Sequence, residues 1–481
     1  HRRYIDFNGI VLFIPFQLPG CLDTPVDPAF SAKVFGISVE YLLILTVEGN
    51  AHTEFLMLHI VKIADKEKGF LTLPALSQEY NHALILVTAV NPLKTIGIII
   101  HLIQSRVLTV QPVKRLHIIL HVLVNRILQK FPLQGRALIP FSRLGVFLAH
   151  KQQLLAGMTL EEKVGQMFIV RCPEQGAAEK AAEYHLGGYI LFRENFEEKT
   201  PVQAAEMVRA CQAAAALPML VGVDEEGGTV NRISGYPAFR DTPFASPQEL
   251  YQAGGFDAVR EDALEKCAFL EELGVNMNFA PVCDVSTDPE DFIYKRSFGR
   301  NAAETAQYVR TVVETMGERG MGSVLKHFPG YGNNADTHTG IAVDDRPYDS
   351  FAASDFLPFR AGIEAGADIV LVSHNIVSCM DSAYPASLSP RVHEILREEL
   401  GFTGVTVTDD LYMDGIRDFV DVEGAAVQAV LAGNDLLCCT DFEVQIPAVL
   451  AAVEQGVVPE TRVDEAVRRV LTLKQKLGLF G

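Results

Sequence analysis

Residues 322–340 read GSVLKHFPGYGNNADTHTG: an apolar run of strand length passes without a break into Lys326-His327 and then into a glycine-broken polar loop. A strand that ends on a cation and an imidazole, followed by Asp336-Thr337-His338, puts titratable groups at a strand's C-terminal end. A carboxylate two residues from an imidazole can orient the ring and support proton transfer near neutral pH. One Asp-x-His alone also describes a polar surface loop, so the surrounding pattern has to decide.

That pattern repeats over residues 158–481. Apolar strand-like segments occur at 167–170, 188–192, 219–223, 275–280, 322–325, 369–372, 405–407 and 435–437, and helical periodicity fills the intervals at 203–214, 256–273, 302–319, 390–400 and 422–431. Strand alternating with helix, eight times over, predicts an α/β fold of the (β/α)8 TIM-like barrel type. In that fold catalytic groups sit at the C-terminal ends of strands, and here almost every proposed strand end meets a polar cluster. Asp224-Glu225-Glu226-Gly227-Gly228 follows the third strand and Pro281-Val282-Cys283-Asp284 the fourth. Ser373-His374-Asn375 follows the sixth and Thr408-Asp409-Asp410 the seventh.

Composition limits what such a pocket serves. The chain has a formal net charge of -19, which argues against a nucleic-acid partner because an acidic surface repels phosphate. The charge is uneven: residues 1–150 carry 14 Lys and Arg against 9 Asp and Glu, so the excess of acid lies wholly in the remainder. Residues 1–157 are a region of unknown fold with no nameable chemistry, and the Thr159–Glu162 capping box after Met158 reads as the start of a separate domain, 158–481. Eight cysteines without a C-x-x-C pair or zinc-ligand spacing point to a reducing compartment and to no metal site. Residues 83–104 come nearest to a membrane span and are interrupted by Asn91, Pro92 and Lys94, so none is expected. Arg2-Arg3 ahead of an apolar stretch ending at Cys21 imitates a lipoprotein signal, but Asp6, Asn8, Pro15 and Pro19 interrupt it. A cytoplasmic location is the expectation, with export or a lipid anchor as the alternative.

The elements VDEEGGTVNRI (223–233), NFAPVCDV (278–285), KRSFGR (295–300), KHFPGYG with DTHTG (326–340), PASLSP (385–390) and GFTGVTVTDDLYMDGI (401–416) together resemble the β-N-acetylglucosaminidases of glycoside hydrolase family 3, in that family's order. The resemblance covers 158–481 and leaves out residues 1–157. It implies a retaining exo-acting enzyme that removes terminal β-linked N-acetylglucosamine (GlcNAc), from peptidoglycan fragments by family analogy, with no cofactor or metal. It implies Asp409 as the nucleophile, His338 as the acid/base and Asp336 as its partner. Asp224, Arg232, Arg296, Lys326, His327 and Met413 match positions that bind the sugar. The oligomeric state does not follow.

Physical chemistry accommodates this division of labour. Most retaining glycosidases use two carboxylates with one raised in pKa, whereas an imidazole near pKa ~6.5 gives and takes a proton without such tuning. Gly330 and Gly332 read as hinges that give the loop freedom. Two readings compete with the hydrolase: a phosphorylase that intercepts the same Asp409 intermediate with phosphate, and a sugar-binding module without turnover. On a regular strand Asp410 points away from Asp409, and His374 fits either a pocket or the core. Two positions depart from the family pattern: Tyr331 stands where a histidine is common, and Glu225 where glutamine is frequent.

Overall fold

The computed structural model describes residues 154–334 and 340–480, and ahead of them the backbone of five strands. The chain divides into two units, His1–Leu144 and Gly145–Gly481. In the first, for which the sequence predicts no fold, strands Asp6–Phe7, Ile10–Phe13, Ile85–Ala89, Tyr41–Asn50 and Thr53–Lys62 pair antiparallel in that order. Cys21 lies outside the described residues.

The second unit holds eight parallel strands: β1 Phe168–Arg171, β2 Gly188–Leu191, β3 Leu220–Val223, β4 Met277–Asn278, β5 Gly322–Phe328, β6 Ile369–Val372, β7 Val405–Thr408 and β8 Leu437–Cys439. They pair in the order β7-β6-β5-β4-β3-β2-β1-β8, and a parallel bridge from Val407 to Leu436 closes β7 onto β8. Each expected strand is present. The residues alternate between two cores, as a closed sheet requires. Ile169, Ile190, Leu220, Met277, Ile369, Leu371 and Val405 fill the barrel, while Phe168, Tyr189, Val221, Leu325, Val370 and Leu437 face the helices.

Local chemistry sets where the helices start. The Thr159–Glu162 capping box is formed, with Thr159 N donating to Glu162 Oε2 at 2.8 Å and Glu162 N to Thr159 Oγ1 at 3.3 Å. Thr200 with Gln203 and Ser246 with Glu249 repeat the device, each ahead of a proline at the first helical position. The helix expected at 256–273 begins nine residues earlier, at Pro247, and breaks its dihedral pattern at Gly254 and Gly255. Those two glycines hid its first turns.

The closing seam rests on one carboxylate. Asp435, fully buried just ahead of β8, accepts from Arg397 Nη2 at 2.7 Å, Arg469 Nη1 at 2.9 Å, Arg462 Nη2 at 3.0 Å and the Thr406 backbone N at 3.1 Å. Removing one member of a buried charge cluster leaves its partners uncompensated, at a cost of roughly 3–5 kcal/mol. Asp435→Ala is expected to lose about that much in urea unfolding, whereas Asp435→Asn, which keeps an acceptor, should lose less. Equal midpoints for wild type and Asp435→Ala would show that the seam does not depend on it.

Candidate active site

The C-terminal ends of the strands open onto a pocket of about 510 Å³. Its lining includes Asp224, Arg232, Arg296, Lys326, His327, Asp409 and Met413, so the seven described residues that the sequence assigns to the site converge in one place. Asp336 and His338 lie outside the described residues. The size is that of an ordinary small-molecule site.

One wall is an ion-paired cradle. Glu226, fully buried two residues beyond Asp224, binds Arg296 through two bonds, Nη2 to Oε1 at 2.7 Å and Nε to Oε2 at 3.0 Å, and lies 2.5 Å from Lys326 Nζ. Burial by itself would raise the Glu226 carboxyl, yet the Arg296 guanidinium and the Lys326 ammonium hold it well below the usual carboxylate range. Lys326 Nζ also donates to Asp224 Oδ1 at 2.6 Å, and Arg232 Nη2 stands 3.6 Å from Asp224 Oδ2. Arg232 further lies over the Phe192 ring at 5.2 Å.

His327 completes the wall, and its partners fix its tautomer. Arg296 Nη2 is 3.1 Å from His327 Nε2, and a guanidinium can only donate, so Nε2 accepts and the ring proton sits on Nδ1. From there it is given to Asp284 Oδ2 at 2.7 Å. Asp284, wholly buried, accepts in addition from the backbone N of His327 at 3.2 Å and of Tyr331 at 2.8 Å. Lys326 and His327 are neighbours in β5 yet both line the pocket. The pairing of β5 with β6 steps from Leu325–Val370 to Phe328–Val372, and that irregularity turns both side chains inward.

Opposite lies the end of β7. Asp409 is half-buried at the pocket wall, and its Oδ1 accepts from the Asp410 backbone N at 2.9 Å. Asp410 is held elsewhere: its carboxylate takes the Tyr412 N and the Thr440 hydroxyl, each at 2.9 Å, and burial pushes its pKa up. His374 is fully buried, with Nε2 donating to the Asp410 carbonyl at 3.0 Å and Nδ1 2.8 Å from Ser387 Oγ. It is thus a core histidine that braces the turn carrying Asp409. Cys438 lines the pocket floor and Cys439 faces the helices, both buried.

The two departures from the family pattern find places. The Glu225 side chain points away from the pocket and accepts from the backbone N of Arg232, Ile233 and Ser234 at 3.0, 2.8 and 3.3 Å, so it braces the segment that presents Arg232. Burial raises its pKa against those bonds. Tyr331 is buried with its ring edge-on to His327, centroids 5.2 Å apart. Gly330 and Gly332, which the sequence reading took as hinges, are closely packed. A Cβ on Gly330 would lie 2.4 Å from Asp355 Oδ1, and one on Gly332 2.5 Å from the Arg346 guanidinium carbon. Close packing requires glycine at both.

Among the described residues, no three His, Cys, Asp or Glu side chains group as a metal site, and no helix is long and apolar enough to cross a membrane. The pattern of the Glycosyl hydrolase family 3 N terminal domain matches residues 159–473. The chain belongs to glycosyl hydrolase family 3. It is therefore a glycoside hydrolase acting on carbohydrate, built on the TIM-like barrel of that family. A beta-hexosaminidase of Xanthomonas campestris pv. campestris strain B100 is 37% identical over 258 residues, covering 52% of this chain and 76% of that protein. Beta-hexosaminidase LpqI of Mycobacterium tuberculosis strain H37Rv is 32% identical over 326 residues, 65% of this chain and 82% of the relative. Among solved structures, the family 3 β-N-acetylglucosaminidase of Paenibacillus sp. FPU-7 superposes with a TM-score of 0.63 at 33% identity, over 68% of this chain and 64% of that one.

Glu226 and Asp284 are the site residues that sequence reasoning did not single out, although both stood in the polar clusters it named. The signal for Glu226 was present: two residues from Asp224, it shares that side chain's face. Glu225 and Glu226 should therefore respond differently to neutralisation. Glu225→Gln is expected to keep kcat/KM within about 3-fold, because its carboxylate serves backbone donors outside the pocket. Glu226→Gln removes the charge that Arg296 pairs with and leaves Lys326 to Asp224 alone, and by misplacing both donors it should lower kcat/KM by roughly 100-fold. Steady-state kinetics on an aryl β-N-acetylglucosaminide compare the two, and equal losses would refute the assignment.

Proposed function

We propose that the chain is a retaining exo-β-N-acetylglucosaminidase that releases terminal β-linked GlcNAc by double displacement. Asp409 is the nucleophile and His338, aided by Asp336, the acid/base. An oxygen of Asp409 attacks the anomeric carbon as the glycosidic bond breaks, and His338 gives its proton to the departing oxygen. A water that loses its proton to His338 then displaces Asp409 and frees the sugar. The names of the hexosaminidase relatives support the sugar, and peptidoglycan fragments are the proposed source.

The observation that carries this reading is the pairing of every cation in the pocket with a carboxylate: Lys326 with Asp224 and Glu226, Arg296 with Glu226, Arg232 with Asp224, and Arg171 with Glu194. Such a wall offers directed N–H donors and carboxylate acceptors to hydroxyl and amide groups with its charge already balanced. It suits a neutral sugar better than a phosphate ion, which favours water over phosphate as the second nucleophile.

Turnover of 4-nitrophenyl N-acetyl-β-glucosaminide tests the roles. Asp409→Ala is expected to lose about 10⁴-fold or more in kcat, and His338→Ala about 10²–10⁴-fold. Full activity in Asp409→Ala would sink the mechanism, and activity confined to aryl glucosides would sink the sugar. Acceleration by phosphate with release of a sugar 1-phosphate would make the enzyme a phosphorylase. Binding without turnover in the wild type would make it a sugar-binding module.

A further inference from the structure

The segment that carries Asp336 and His338 leaves the barrel at Gly330–Gly332 and returns at the short strand Val343–Asp344, which pairs in parallel with Ile376–Val377. Between these two limbs stands one guanidinium. Arg346 binds Asp344 on the returning limb, Nη2 to Oδ2 at 2.8 Å and Nε to Oδ2 at 3.0 Å, and its own backbone N donates to Asp344 Oδ1 at 2.9 Å. Its other edge binds Asp355, with Nη1 3.1 Å from Oδ2 and Nη2 3.2 Å from Oδ1. On the outgoing limb Nη2 donates to the Gly330 carbonyl at 3.4 Å, and the plane lies against the Cα of Gly332 where any Cβ would collide. The Phe351 ring covers the guanidinium at 4.2 Å.

Asp344 and Asp355 are almost wholly buried, so the guanidinium they share is fixed by charge, by a fork of planar bonds and by stacking together. None of these residues lines the sugar pocket. Their common product is to hold together the two ends of a loop whose middle bears the proton-transfer pair. Closing a loop of about a dozen residues costs entropy that contacts at its neck offset.

We propose that Arg346 is a positioning residue for general acid/base catalysis: a clasp at the neck of the 333–342 segment that sets where His338 meets the glycosidic oxygen. This rests on the assignment of His338 above. A displacement of about 1 Å in a catalytic group can cost about 100-fold, and that cost falls on the step needing the proton.

The test compares a substrate that needs the acid, phenyl N-acetyl-β-glucosaminide, with one whose leaving group departs without it, the 2,4-dinitrophenyl glycoside. kcat/KM is used because it reports the first chemical step. Arg346→Ala is expected to fall about 10–100-fold on the phenyl substrate and to stay within about 3-fold on the dinitrophenyl substrate. In a His338→Ala background the same change should have little further effect on either. Arg346→Lys, which keeps the charge and loses the fork, should recover part of the loss. Gly332→Ala, which presses on the guanidinium from the other side, should reproduce the leaving-group dependence if Arg346→Ala does not fold. Equal losses on both substrates, or a full additional loss in the His338→Ala background, would reduce Arg346 to a structural residue and overturn the proposal. A His338→Ala enzyme with wild-type activity on the phenyl substrate would instead overturn the acid/base assignment, and the catalytic part of the clasp with it. Amide hydrogen exchange then decides the rest: exchange in Arg346→Ala that quickens across 333–342 more than in the barrel strands supports the clasp, and exchange that quickens equally in both, or not at all across 333–342, refutes it.

Discussion

A carboxylate sealed from water has to be matched by charge and hydrogen bonds or it shifts to its neutral form, and Glu226 is matched twice over. Its bonds reach Arg296, in the turn after β4, and Lys326, at the end of β5, so one buried anion ties the ends of three neighbouring strands. The rest of the sugar wall follows. With Lys326 held there, Asp224 has its partner; with Arg296 held there, His327 has its donor and therefore its tautomer. Removing the central charge would loosen every group that is aimed at the sugar. The arrangement is specific because each donor has its direction set before a ligand arrives.

Strand positions were legible in the sequence because parallel strands are buried on both faces and read as unbroken apolar runs. Segments such as Ile369–Val372 and Gly188–Leu191 contain nothing else. The barrel followed from counting them. The helix start at Thr159 was legible from its capping box, whereas the one at Ser246 was obscured by Gly254-Gly255, where a break inside a helix looks like its beginning. The period of two along a strand would have separated Glu225 from Glu226, but it does not extend to Asp409 and Asp410, which lie past the end of β7 and both line the pocket. It could not foresee that Lys326 and His327 face the same side, because that depends on a step in the pairing with β6 which the order of residues does not encode. Gly330 and Gly332 hid their packing for a related reason. Glycine marks both freedom and close approach, and what decides between them is a side chain from elsewhere, here Asp355 and Arg346.

Sugar-binding groups and proton-transfer groups make different demands on the scaffold. The first must stay fixed and stand at strand ends, locked by buried ion pairs. The second, in the proposed mechanism, come from the stretch of sequence that follows β5. The two are nevertheless one stretch of chain, and the join is Asp284. One of its oxygens holds the ring and backbone of His327, and the other takes the N–H of Tyr331, five residues ahead of Asp336 in the sequence. Any shift of His327 on meeting a sugar hydroxyl is therefore felt at Tyr331 through the shared carboxylate. It is felt again through the tyrosine ring, which stands edge-on against the imidazole.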